Sequence, residues 1–266
     1  MADLIRLGVL NFGVILSLMT VLWLISVIKR DASIVDPFWG SGFIVVAWVT
    51  AAWQDFTGPR TLLLAGLTTV WGLRLTIHLF LRGMHAGEDS RYRAMREKHG
   101  GAFWWVSLFT VFGFQGVIMW VVSWPLQFGS ATVIPSLASL WWLDGIGIVI
   151  WVVGFMFESV GDYQLARFRS DPANRGSVLD QGFWRYTRHP NYFGDFCVWW
   201  GLYFIAAAGG AWWTLPAPLL MSILLMKISG VTLLEKTISG RRPGYASYIA
   251  RTSAFFPRPP KQNVRQ

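Results

Sequence analysis

Thr187-Arg188-His189-Pro190-Asn191-Tyr192-Phe193-Gly194-Asp195 runs directly into the apolar stretch Phe196–Ala208. Proline suits the first turn of a helix, where its missing N–H would be unpaired anyway. The stretch therefore predicts a helix that starts near Pro190 and enters an apolar environment at once. Asn191 and Asp195 are four apart and share one helix face. Arg188 and His189 stay outside, beside the positive end of that helix, and a helix N-terminus with an arginine is a ready anion site. An apolar helix, an anion site and two polar groups facing a bundle point to a membrane enzyme with a phosphate-bearing cofactor.

Composition agrees. The chain has 266 residues, 54% hydrophobic and 14% charged, with 17 Trp and 19 Phe. Runs long enough to cross a bilayer recur along it: Gly8–Ile28, Phe38–Trp53, Thr61–Leu81, Phe103–Trp124, Trp142–Phe157, Tyr192–Ala208 and Ala211–Leu234. Gly209-Gly210 alone separates the last two, which could otherwise be taken for one kinked helix. Seven spans distribute the 23 Lys and Arg in one way. Arg6 and Arg60 fall on one side, Arg74 and Lys227 lie inside spans, and all the others collect on the opposite side. This positive-inside bias predicts an all-α, seven-helix membrane protein with its N-terminus outside and its C-terminus cytosolic.

A net charge of +9 is then explained by topology and by attraction to anionic headgroups. No zinc-finger spacing, basic helix or aromatic RNA motif calls for nucleic acid. The single Cys197 excludes an intramolecular disulfide framework and a cysteine metal cluster. Scattered histidines make a metal site unexpected. The first apolar segment lacks a basic n-region and a small-residue cleavage site, so it is expected to remain as an anchor. No internal repeat or linker divides residues 1–266, which predicts a single membrane domain with a tail that frays from 257 to 266.

Several polar clusters interrupt this apolar chain. Arg74 lies within the third span, sharing a face with Trp71 and His78. An arginine at depth costs at least ~2.5 kcal/mol, so it needs a partner or a wet cavity. Glu158, Asp162 and Arg169 fall on nearly one face of the fifth span and its cytosolic extension. Asp36-Pro37-Phe38-Trp39-Gly40 opens the second span, where the acid suits either helix capping or catalysis. Glu88-Asp89-Ser90-Arg91-Tyr92 lies in the first large cytosolic loop. The tail carries Arg241-Arg242-Pro243-Gly244-Tyr245 and Tyr248. Rings and arginines of this kind suit a nucleotide, and equally an interfacial aromatic belt.

Taken in order, these clusters resemble the bacterial membrane branch of the steroid 5α-reductase family. The resemblance covers Asp31 to Pro260 and is most specific at His189-Pro190-Asn191-Tyr192-Phe193-Gly194-Asp195. It implies a cytosol-facing active site in the inner membrane, an NADPH cofactor, and reduction of a C=C bond conjugated to a carbonyl in a lipid-soluble substrate. By motif match, Asn191 and Asp195 would hold the nicotinamide or ribose end. Arg74, Asp162, Arg169 and Tyr192 would line the cofactor site, with Arg91, Tyr92, His189 and Tyr245 completing it. A hydride would pass to the β-carbon while an acid polarises the carbonyl. Asp36 is the nearest acidic counterpart, and Trp71 stands roughly where the steroid enzymes carry a tyrosine. Tryptophan cannot supply a proton as tyrosine can.

Two other readings fit parts of the pattern. An S-adenosylmethionine-dependent methyltransferase of the isoprenylcysteine carboxyl type shares an Arg-His-Pro core and a tail with Glu235, Tyr245 and Tyr248. A lipid-binding membrane protein without catalysis would keep the fold and lose the chemistry.

Overall fold

The computed structural model describes residues 1–84, 87–129, 142–228 and 244–261. The end of the expected seventh span, Glu235, Arg241-Arg242-Pro243 and residues 130–141 lie outside the described residues. Among those described the chain is helical, with one isolated bridge between Thr187 and Ser253. The long helices are α1 (Ala2–Lys29), α2 (Val35–Trp53) and α3 (Pro59–Gly83). After α4 (Ser90–His99) come α5 (Phe103–Ser107), a π-helical segment Leu108–Gly113, α6 (Phe114–Val122) and α7 (Trp124–Phe128). Then follow α8 (Trp142–Ser170), α9 (Pro190–Ala208), α10 (Pro216–Ile223) and α11 (Tyr245–Arg251).

Among the described residues, five helical stretches are long and apolar enough to cross a membrane: Ala2–Lys29, Ala32–Trp53, Pro59–Gly83, Ser90–Val122 and Trp142–Ser170. Large apolar side chains such as Val9, Leu73, Phe80, Phe109 and Val149 are exposed along them. Apolar surface on this scale has no place in water, so the chain is an integral membrane protein whose helices meet lipid. The sixth expected span falls on the 19-residue helix α9, which is not among those five. The chain then turns at Gly209-Gly210, where Gly210 has φ 89, before α10, so these are two helices and not one kinked one.

The described residues form two compact units, 1–141 with 205–217, and 142–204 with 218–266. In the first, α2 and α3 approach at Gly40 and Gly72, where a Cβ on either would meet the other's carbonyl oxygen. Asn11 of α1, fully buried, donates to Thr50 of α2 at 3.1 Å. Trp120 closes α6 onto α1 through the Gly8 carbonyl at 2.9 Å.

In the second unit, α8 and α9 pack through glycines at heptad spacing. Gly147 faces Gly201, Gly154 faces Gly194, and Gly161 faces Pro190 and Asn191. In each case a Cβ would fall against the opposing helix. A seven-residue repeat keeps one seam facing a partner, and small residues let backbones approach closely where lipid gives no hydrophobic drive. Gly154→Leu should therefore destabilise the protein in detergent by about 1–3 kcal/mol, the usual cost of overpacking. Gly145→Ala, on open space in the same helix, should be neutral or gain roughly 0.5–1 kcal/mol. Paired thermal-unfolding midpoints check both.

Candidate active-site clusters

The first unit gathers Asp36, Arg91 and Tyr92, which the sequence separates by a whole span. Asp36 sits in the first turn of α2, but its side chain reaches across to α4 rather than capping its own helix. Tyr92 Oη donates to Asp36 Oδ1 at 2.7 Å, and Arg91 Nη2 donates to Oδ2 at 2.7 Å. Arg91 also reaches Asp89, with Nε 2.9 Å from Oδ1. Behind Tyr92 stand two residues that sequence reasoning missed. Gln115 Nε2 donates to Tyr92 Oη at 3.1 Å, and Trp39 Nε1 donates to Gln115 Oε1 at 2.7 Å. Tyr92 is buried, whereas Arg91 is exposed and the Asp36 side chain is 25% exposed. Arg91 and Tyr92, expected on the cofactor, both hydrogen-bond Asp36, the expected acid.

A clamp holds this cluster in place. Glu88 takes both arms of Arg96, Nη2 at 2.8 Å and Nε at 3.0 Å, and accepts the Ala32 N–H at 3.0 Å. The Asp89 N–H bonds Ser33 Oγ at 2.7 Å, and the Asp89 carboxylate caps α4 through the Arg91 N–H at 2.9 Å. The loop after α3 is thereby tied to the turn that starts α2, which places Tyr92 over Asp36. Hydrogen bonds from Arg96 hold the Glu88 carboxyl below its ordinary 4.5, with burial opposing and the Ala32 N–H assisting. Arg74 lies half-buried on α3, and Trp71 is fully buried against Phe43, a core residue of the unit.

The second unit gathers the residues of the opening motif. Asn191 Nδ2 donates to Asp162 Oδ1 at 3.0 Å, joining the start of α9 to the middle of α8. Glu158 and Asp162 are both buried on α8. His189 is buried and stacks on Tyr192, with centroids 5.6 Å apart and planes 5° from parallel. Asp195 lies one turn beyond Asn191 on α9. Near the C-terminal end of α8, Arg169 and Arg175 line an open cavity of about 370 Å³ with Phe168, Asn174 and Gly176. Among the described residues no group of three or more His, Cys, Asp and Glu could hold a metal ion.

Arg188 departs from its expected place. It is buried, and its Nη1 donates to the carbonyls of Thr252 at 2.6 Å and Ile249 at 3.2 Å, at the C-terminal end of α11. A cation there satisfies end carbonyls and meets the negative end of the helix dipole. Arg188 is thus a tail anchor and not an open anion site. The tail is held further by the Thr187 hydroxyl on the Phe255 carbonyl at 2.7 Å and by the Arg251–Asp180 ion pair. The Tyr248 hydroxyl bonds the Trp184 carbonyl, and burial raises its pKa. Tyr245 is buried beside Tyr248. Fraying does not begin at 257, because the Arg258 and Lys261 N–H groups bond the Tyr186 and Arg251 carbonyls.

The chain belongs to the DUF1295 family, described as proteins of unknown function, whose match covers residues 22–252. That family is related to steroid 5α-reductase-like proteins. A relative from Schizosaccharomyces pombe, described as uncharacterized, is 24% identical over 92% of this chain and 79% of its own length. No solved structure gives a significant match.

Two outcomes follow from the clamp and the anchor. Because the folded value of Glu88 lies below 4.5, its stabilising contribution is complete above 4.5 and is lost as pH falls through the lowered value. Glu88→Gln should lower neutral-pH stability by about 1 kcal/mol and flatten the acid limb of an unfolding curve. Arg188→Ala should release the tail, seen as faster limited proteolysis between 252 and 261 while the far-UV circular dichroism stays helical.

Proposed function

We propose that this protein is an NADPH-dependent membrane reductase of a C=C bond conjugated to a carbonyl in a lipid-soluble substrate. One observation carries the reading: the hydroxyl of a buried tyrosine hydrogen-bonded to an acid, Tyr92 on Asp36. Reduction of an enone develops negative charge on the carbonyl oxygen and needs a proton donor beside it. Methyl transfer from a sulfonium makes no such demand. In this reading the tyrosine stands in α4, and Trp71 is packing.

The residues of the second unit fit the cofactor. An asparagine amide held by a buried carboxylate suits a carboxamide or ribose hydroxyl. A cavity of about 370 Å³ with two guanidinium groups is within the usual range for small-molecule sites and suits a phosphate-bearing nucleotide. When bound, NADPH would supply the hydride. Asn191, Asp195, Asp162, His189, Tyr192, Arg169 and Tyr245 would bind and orient it, and Arg74 would stand in the membrane near the substrate. In the first unit, Tyr92 would give its proton to the substrate oxygen, with Asp36 resupplying it and Arg91 holding the carboxylate.

The charge bias supports a cytosolic mouth, an outside N-terminus, and seven spans in a bacterial inner membrane. Substrate would then enter laterally from the lipid. Titration of the purified protein with NADPH and with S-adenosylmethionine tests the reading. NADPH should bind, and Asn191→Ala or Asp162→Asn should weaken it roughly tenfold to a hundredfold, as expected for a lost charge-assisted hydrogen bond. Tyr92→Phe should leave binding intact. Binding of S-adenosylmethionine alone would sink the reductase, and binding of neither would favour a lipid-binding role.

A further inference from the structure

We infer that Gln115 and Trp39 are positioning residues that set the direction in which Tyr92 holds its phenolic proton. The inference rests on Tyr92 being the acid of the proposed reductase. It follows from what each group is able to donate. An indole N–H only donates, so the Gln115 atom 2.7 Å from Trp39 Nε1 is the amide oxygen. The amide nitrogen is therefore the atom that faces Tyr92 Oη at 3.1 Å, and an amide nitrogen only donates. Tyr92 accepts that bond, which leaves its single O–H for Asp36 Oδ1 at 2.7 Å. Arg91, 2.7 Å from Oδ2, keeps Asp36 an acceptor. The chain runs one way, from Trp39 through Gln115 and Tyr92 to Asp36.

Position in the helix supports a dedicated role. Gln115 is the second residue beyond the π-helical segment Leu108–Gly113. An inserted residue in a π turn rotates everything after it by roughly 100° relative to a regular helix. Such turns recur at functional sites, where they re-aim one side chain.

The direction has a chemical consequence. At rest the Tyr92 proton is committed to Asp36 and is not offered to a substrate. It becomes available when Asp36 carries a proton and donates it to the second lone pair of Tyr92 Oη. On transfer, the Tyr92 O–H bond breaks as a bond to the substrate carbonyl oxygen forms. The Asp36 O–H bond breaks as the Tyr92 O–H re-forms. One proton passes to the substrate, and the negative charge comes to rest on Asp36 beside Arg91. The Gln115 amide stabilises the transient phenolate throughout.

The hydrogen-bond sense can be read without a substrate. Protein labelled with ¹³C at the tyrosine ring carbon bearing oxygen gives a Tyr92 signal that is assigned by its loss in Tyr92→Phe. Gln115→Glu keeps the shape but presents an acceptor to Tyr92, and the signal should shift furthest. Gln115→Met, the safer variant for folding, removes the accepted bond and should shift it less. Trp39→Phe frees the amide to flip and should shift or broaden it, while Trp48→Phe, which breaks an indole bond to Thr69 elsewhere in the unit, should leave it in place. An unmoved Tyr92 signal in folded Gln115→Met overturns the inference. A wild-type protein that binds no NADPH would overturn the reductase reading instead, and the resonance would still decide the bond direction.

Discussion

The second unit depends on how closely α8 and α9 approach. Gly154 and Gly201 lie against backbone of the opposing helix at Gly194 and Gly147, and Gly161 lies against Pro190 and the Asn191 N–H. That distance is short enough for the brief side chains of Asn191 and Asp162 to meet at 3.0 Å. Any larger residue in the seam would part the helices and break this contact before it touched any chemistry. Gly194, inside the most specific motif of the chain, is therefore a packing residue first. Arg188, in the same motif, is spent at least in part on the tail. A motif that reads as a binding site is half scaffold, and its scaffold half is what brings its polar half together.

The polar cluster of the first unit is organised by charge, beside the close α2–α3 approach at Gly40 and Gly72. A carboxylate removed from water is costly unless it is paired and hydrogen-bonded. Asp36 meets this with Tyr92 and Arg91, and Arg91 in turn is shared with Asp89. A second pair, Glu88 with Arg96, fixes the loop that carries them. Hydrophobic residues of similar volume would stabilise such a place as well or better. What the polar arrangement supplies is a defined geometry for one acid and one phenol.

Much of this was legible in the chain and some was not. The apolar runs led directly to the long helices, since the bilayer length is written in hydropathy. The break at Gly209-Gly210 and the polar clusters were visible for the same local reasons. The Asp36–Tyr92 contact was invisible because it joins residues a whole span apart. Trp71 drew attention by its position in the linear order, but it is core. Gln115 gave no signal, because a π turn changes which face a residue occupies without changing composition. The glycine heptads in α8 and α9 could have been found by counting sevens, and Arg188 could not have been assigned to the tail without knowing where α11 ends.

Each unit carries a polar cluster of its own. The second holds an amide, carboxylates, a stacked His–Tyr pair and an arginine-lined cavity, all suited to a nucleotide. The first holds a tyrosine hydroxyl, the carboxylate that accepts from it and a guanidinium on the same carboxylate. A transferase that moves a methyl cation onto a nucleophile must tolerate loss of positive charge, and a phenol held by a carboxylate and backed by an amide does nothing for that step. A protein that merely binds lipid has no use for a directed chain of hydrogen bonds ending on a charged acid. On physical grounds, then, the weight of the functional reading falls on Tyr92 and Asp36 and not on the more recognisable motif at the start of α9.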